Sequence, residues 1–156
     1  MSKVLTTNKV FSSAAVEVGF LGAGNTRYIE YSGFFLLINH QKSSYSKVFY
    51  MNVGIIYKEL VGRNPSIDEI CSAFNFRDSK LPVHVDFRIE GFPGAPVDLQ
   101  KTFDDLVVDG KMDELKILLI DVFHRLIAFV EKNHDRTTIR RLRDEKKLSA
   151  MVLKDV

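Results

Sequence analysis

Two segments decide how this chain is read: Phe34-Phe35-Leu36-Leu37-Ile38-Asn39-His40-Gln41-Lys42 and Val48-Phe49-Tyr50-Met51-Asn52-Val53-Gly54-Ile55-Ile56-Tyr57. Both are rich in aromatic and β-branched residues, which suit a pleated, half-buried surface, and only Ser43 to Lys47 separates them. So short a connection joins antiparallel neighbours, because parallel strands need a crossover of a dozen or more residues. The pair reads as a hairpin. If the loop sets Gln41 opposite Val48, the two-residue period sends Asn39, Gln41, Tyr50 and Asn52 to one face. Ile38, His40, Phe49, Met51 and Val53 then take the other.

Working outward, Arg27 to Tyr31 reads as a preceding strand, entered from the turn Gly22-Ala23-Gly24-Asn25. Before it, Phe11, Ala14, Ala15 and Val18 recur at the spacing of one helix face, and Gly19 stands where helices commonly stop. Downstream, Ser66 followed by Glu69 forms a capping box for a short helix with Ile67, Ile70, Cys71 and Phe74 on its apolar side. Val83, Val85, Phe87 and Ile89 alternate with His84, Asp86, Arg88 and Glu90, which predicts a strand with the first set buried and the second wet. Gly91 to Pro96 breaks regular structure; a helix from Asp98 then uses Leu99, Phe103 and Leu106 before Gly110 stops it.

The longest helix is expected over Met112 to Asn133. Leu115, Leu118, Leu119, Val122, Leu126, Phe129 and Val130 form its stripe, widened by Phe123 and Ile127. So broad a stripe faces more than one neighbour, so this helix should cross the sheet and touch the first helix. Asp135 can cap a last helix through Lys147, whose apolar content is thin until Leu148, Met151, Val152 and Leu153, so the tail reads as loosely docked or partner-dependent. The expected fold is α+β: an antiparallel sheet of about four strands, packed by an N-terminal helix and a long C-terminal helix. Residues 1–135 form one domain, and 136–156 a basic helix or tail docked on it.

Composition agrees with a globular chain: 156 residues, 46% hydrophobic and 27% charged. A domain of this size buries about 70% of the surface its unfolded chain exposes. Cys71 is the sole cysteine and can form no internal disulfide, as expected in a reducing, cytoplasmic setting. Met1 to Lys9 has no apolar run after a basic start and does not read as a signal peptide. The greasy run Ile117 to Ile120 is far short of the roughly 20 apolar residues of a membrane helix. Charge is uneven: nine carboxylates oppose four cations between Asp86 and Asp121, and eight cations oppose four anions from Lys132 onward.

Little in the sequence carries chemistry. Gly22-Ala23-Gly24-Asn25 lacks the strand-then-helix context of a phosphate cradle and reads as a turn. His40, His84, His124 and His134 have no metal-ligand spacing among them, and Asp121 with Arg125 makes an ordinary i, i+4 pair. Cys71 reads as core. No catalytic residue, cofactor or metal is implied. Three candidate surfaces remain. The face with Asn39, Gln41, Tyr50 and Asn52 offers donors and acceptors without charge. Asp104, Asp105 and Asp109 make an acidic surface. Arg140, Arg141, Arg143, Lys146 and Lys147 could meet phosphates, though no aromatic is interleaved to stack on bases.

Gly19-Phe20, Arg27-Tyr28, Gln41-Lys42-Ser43 and Phe49-Tyr50-Met51-Asn52-Val53-Gly54 together resemble the bacterial family catalogued as domain of unknown function 4304. The resemblance implies a helix, a run of antiparallel strands, carboxy-terminal helices and a bacterial cytoplasmic setting. It implies no activity. The chain departs from the family at Gly22-Ala23-Gly24-Asn25, where basic residues are expected after the Gly-Phe pair.

The function expected first is a non-catalytic protein-binding module, an immunity or antitoxin-like inhibitor holding a basic partner on the acidic stretch. The alternatives are a nucleic-acid-associated domain using the basic tail, and a small-molecule pocket on the amide face with His40 or His84 as titrating partner. No membrane is implied, and oligomeric state is not read from the sequence.

Overall fold

A computed structural model describes residues 6–46, 48–75 and 81–156; Met1 to Leu5 of the amino terminus and Lys47 of the hairpin loop lie outside the described residues. The elements in chain order are α1 (Thr7–Val18), β1 (Leu21–Ala23), β2 (Thr26–Glu30), β3 (Phe34–Lys42), β4 (Phe49–Tyr57), α2 (Lys58–Val61), α3 (Ile67–Cys71), β5 (Val85–Arg88), α4 (Leu99–Val108), α5 (Met112–Asn133), α6 (Arg136–Asp144) and β6 (Ala150–Val152). The strands form one antiparallel sheet in sequence order.

β3 and β4 pair over nine rungs, from Phe34 opposite Tyr57 to Lys42 opposite Phe49. Gln41 faces Tyr50, two residues from the position the loop length suggests. A shift of two preserves which face each side chain leaves from, so the expected division of the two faces holds.

On one face Phe34, Leu36, Ile38, Phe49, Met51, Val53, Ile55, Val85 and Phe87 are buried under α1, α4 and α5. Phe11 of α1 and Phe20 set their rings edge-on to Phe123 of α5 at 6.2 and 5.6 Å, and Phe49 stacks on Phe103 of α4 at 5.3 Å. The long helix thus crosses the sheet and touches the first helix, as its broad stripe predicts. Thr6 caps α1 by accepting from the Lys9 amide, and Gly19 ends it in the left-handed region. The Ser66–Glu69 capping box is present at α3.

Among the described residues the opposite face is covered over only half its width. Tyr28, Phe35, Leu37 and Ile56 are buried beneath Ile70, Ala73 and Leu81 in a second, smaller core. Gly54 lies at its border. A β-carbon there would fall 2.7 Å from Val83 Cγ1 and 2.9 Å from Phe74 Cζ, so glycine lets these side chains lie directly on the sheet.

Six strands replace the expected four or so. β1 occupies what reads as a turn: the reversal contracts to Gly24-Asn25, and β1 forms by backbone pairing to β2. All three of its residues are exposed, so no burial pattern marks it. β6 lies in the supposed loose tail and pairs Val152, Met151 and Ala150 with Val85, Asp86 and Phe87. α6 ends at Asp144, three residues short of expectation, where the chain turns through Lys146 at φ 60°. Only Val85–Arg88 of the alternating run pairs as a strand, and Ile89–Gly91 winds into a 3-10 turn. His84, expected on the wet face, is buried.

The tail is therefore not loose. Ile139, Leu142, Leu148 and Val156 all join the larger core. Arg136 ties α6 to α2 through Glu59 at 2.9 Å and to the Asp155 carbonyl at 2.7 Å. Leu148 is 1% exposed and Met151 74% exposed. Leu148→Ala is expected to lower unfolding free energy by about 2–4 kcal/mol, and Met151→Ala by less than about 0.5 kcal/mol. Urea titration of both variants measures the contrast, and equal midpoints would show the tail to be undocked.

Candidate functional site

The uncovered half of the second face carries a polar row across four strands. Thr26 of β2 faces Asn39 of β3, Asn39 faces Asn52 of β4, and Asn52 faces Arg88 of β5. Two rungs along, on the same face, Gln41 faces Tyr50. Antiparallel register alone brings them together, since directly opposed residues share a face.

One backbone carbonyl fixes the direction of this row. Asn39 Nδ2 donates to the Asn25 carbonyl at 3.3 Å and to Thr26 Oγ1 at 3.0 Å. A carbonyl only accepts, so the nitrogen end of Asn39 must point toward Asn25 and its Oδ1 toward β4. Asn52 accordingly presents Nδ2, donating to Asn39 Oδ1 at 2.9 Å and to Gln41 Oε1 at 3.0 Å. Both amide protons of Asn52 are spent. Its Oδ1 and the two Nε2 protons of Gln41 have no hydrogen-bond partner among the described residues.

The row lines a groove of about 880 Å³, bounded by Phe74 where the smaller core ends and by Ser149, Ala150 and Met151 at the β6 edge. Arg88 stands over the Tyr50 ring, its guanidinium carbon 4.6 Å from the centroid. Asp86, two residues before it on the same strand, also lines the groove. Burial pushes the Asp86 carboxyl above the usual range, and the Arg88 charge opposes that rise.

The histidines lie elsewhere in function. The His40 ring stacks on Phe49 at 5.1 Å, lies 5.7 Å from Phe11, and meets Thr7 Oγ1 through Nε2 at 2.8 Å. Burial drives its pKa down to about 4, against a raising influence of a backbone hydrogen bond. His84 Nδ1 accepts from the Tyr57 amide at 3.0 Å, and burial lowers its pKa too, with Arg136 adding to the drop and Asp155 opposing it. Both rings are buried, hydrogen-bonded and held toward the neutral form.

The acidic candidates form no common surface with the amides. Phe103 of α4 packs on the helix-covered face, so Asp104, Asp105 and Asp109 belong to the opposite side of the sheet from Asn39, Gln41, Tyr50 and Asn52. Asp104 accepts from Gln100 at 2.9 Å, Asp105 pairs with Lys101 at 2.8 Å, and Asp109 is the C-cap of α4. Of the basic set, Arg143 pairs with Asp144 at 3.0 Å and Lys147 with Glu145 at 3.2 Å. Arg140 reaches the Lys154 carbonyl at 3.4 Å; Arg141 and Lys146 are exposed. Cys71 is half-buried against the smaller core, and Asp121 and Arg125 pair at 2.9 Å. Among the described residues no group of three or more His, Cys, Asp or Glu side chains could hold a metal ion, and no helix is long and apolar enough to cross a membrane.

Sequence reasoning found the β3 and β4 half of the site and missed Thr26, Asp86 and Arg88. The alternation in Val83 to Glu90 already placed Asp86 and Arg88 on a wet face; what was lacking was the strand beside it.

Residues 11–92 match the family described as domain of unknown function (DUF4304). The match spans more than half of the 156 residues, and the chain belongs to that family. The matched span contains the whole polar row and Arg88, and excludes α4, α5, α6 and β6. Comparison with curated proteins and with solved structures finds no match for the chain.

A pKa depressed on folding favours the folded state above the unfolded value and loses that favour as pH falls. For His40 the window runs from 6.5 down to about 4, with a full effect on the order of 3 kcal/mol; His84 acts in the same direction. Stability measured by urea unfolding is expected to fall between pH 7.5 and pH 5. The fall should be smaller in His40→Phe; identical pH slopes in the two proteins would contradict a neutral, buried His40.

Proposed function

We propose that this chain is a non-catalytic recognition domain that receives a polypeptide segment of a partner protein in the amide-lined groove. One observation carries the reading: the hydrogen-bond direction of the polar row leaves the Gln41 Nε2 protons and Asn52 Oδ1, on two side chains joined by a hydrogen bond, without a partner among the described residues. A donor and an acceptor at adjacent positions complement the C=O and N–H of a peptide. The groove supports it further, because it is concave and bounded on one side by the apolar Phe74, the mix of shape and sparse polar groups on which recognition sites depend. With no second cysteine in the chain, we place it in a reducing compartment.

An inhibitor acting through the acidic helix is the rival within the same class. Asp104 and Asp105 are already engaged within α4, which leaves less free charge to steer a basic partner.

Selection from a displayed library of random peptides tests the choice. Peptides enriched on the unaltered protein are expected to bind Gln41→Ala about tenfold more weakly, the loss of one or two hydrogen bonds. The same peptides should bind the triple variant Asp104→Asn, Asp105→Asn, Asp109→Asn unchanged. The reverse pattern would move the site to α4, and a library that yields no groove-dependent binder would sink the reading.

A further inference from the structure

Arg88 is a charged group of the groove that the fold positions without an ion pair among the described residues. Its guanidinium lies against Tyr50, and among the described residues no carboxylate reaches ion-pair distance of it. Arg136, by contrast, spends its guanidinium on Glu59 and a carbonyl, Arg63 on Glu69, Arg125 on Asp121 and Arg143 on Asp144. Asp86 is near enough to feel the Arg88 charge, but it is not paired with it.

A guanidinium held against an aromatic ring loses less freedom on binding than a free one, and its planar fork of N–H donors suits bidentate capture of a carboxylate. The register sets it one strand from Asn52, which lies in turn beside Gln41. These three residues therefore present the guanidinium fork, two amide protons and one carbonyl oxygen. Donors outnumber acceptors. Among the described residues the charged side chains lining the groove are Lys42 and Arg88 against Asp86, a formal excess of one positive charge.

We infer that the groove takes an acidic segment of its partner, in extended form, with a Glu or Asp carboxylate held by Arg88 and the adjoining peptide group held by Gln41 and Asn52. The inference rests on the recognition reading above and adds to it the chemistry of the partner. It also reverses the sign expected from the acidic stretch of the sequence, because the groove and α4 are on opposite sides of the sheet. A nucleic acid is the weaker occupant: the Tyr50 ring is already covered by Arg88, and base stacking needs a free ring face.

Four probes decide it, each titrated into isotope-labelled full chain and followed by amide NMR shifts: an acetylated, amidated octapeptide alternating glutamate and serine, its glutamine and lysine counterparts, and inorganic phosphate. The glutamate peptide is expected to move the resonances of Gln41, Asn52 and Arg88, to bind at least tenfold more tightly than the glutamine peptide, and to weaken with added salt. Arg88→Gln should erase the difference between those two peptides, and Arg88→Lys, which keeps the charge without the planar fork, should retain part of it. Unchanged spectra away from the groove report that each variant is folded. If the glutamine or lysine peptide binds the groove as tightly as the glutamate peptide, the acidic ligand is wrong and the recognition groove stands. Phosphate competing as strongly as the glutamate peptide would reduce the site to a general oxyanion pocket and overturn the peptide. Shifts confined to α4 or α6, or none from any probe, would overturn both the inference and the reading beneath it.

Discussion

The structure depends on the pairing of β3 with β4 and the alternation that pairing enforces. Each strand sends successive side chains to opposite faces, so one register decides nine opposed pairs at once. A slip of one residue in β3 would place Asn39 and Gln41 beneath α1 and α5 and turn Ile38 outward, and the same slip in β4 would exchange Asn52 with Met51 and Val53. Each fully buried side chain of that size contributes roughly 1.5–3 kcal/mol, and stranded amides in a dry core would add a penalty. The native register has no close competitor.

From that constraint the two-sidedness follows. The helix-facing side is apolar along most of β3 and β4, with His40 the buried polar exception, and needs the broad surface of α5 to cover it. The other side is apolar only toward one end, where Phe35, Leu37 and Ile56 lie under α3 and Leu81. Short α3 and the turn after it, as far as Phe74, cover that end. Beyond it the side chains are amides, which no described element covers. The groove is thus the border between a covered and an uncovered half of one sheet face, and Gly54 marks the line where covering side chains come down to the backbone.

The histidines show how burial reassigns a residue that composition would make functional. His40 and His84 sit at the ends of strands, where a ring can fill space between sheet and helix and satisfy one neighbouring polar group. Taken out of water, each keeps its neutral form. The polar chemistry left to the surface is then amides and a guanidinium, groups that hold their state across ordinary pH and suit recognition better than proton transfer.

What the sequence determined by itself was local and periodic. The hairpin, α1, the capped α3, the helix from Leu99 and the full extent of α5 were legible because apolar spacing, capping side chains and short loops act between residues near in the chain. So was the separation of Asn39, Gln41, Tyr50 and Asn52 from the oily face, since it needs only the period of two. Tertiary structure decided the rest. Nothing local marks Leu21–Ala23 or Ala150–Val152 as strands, because their pairing is with backbone supplied by β2 and β5. Nothing local sets Arg88 beside Asn52, because the two are brought together by the β4–β5 register across a long connection, and nothing local says that α4 lies on the far side of the sheet from them.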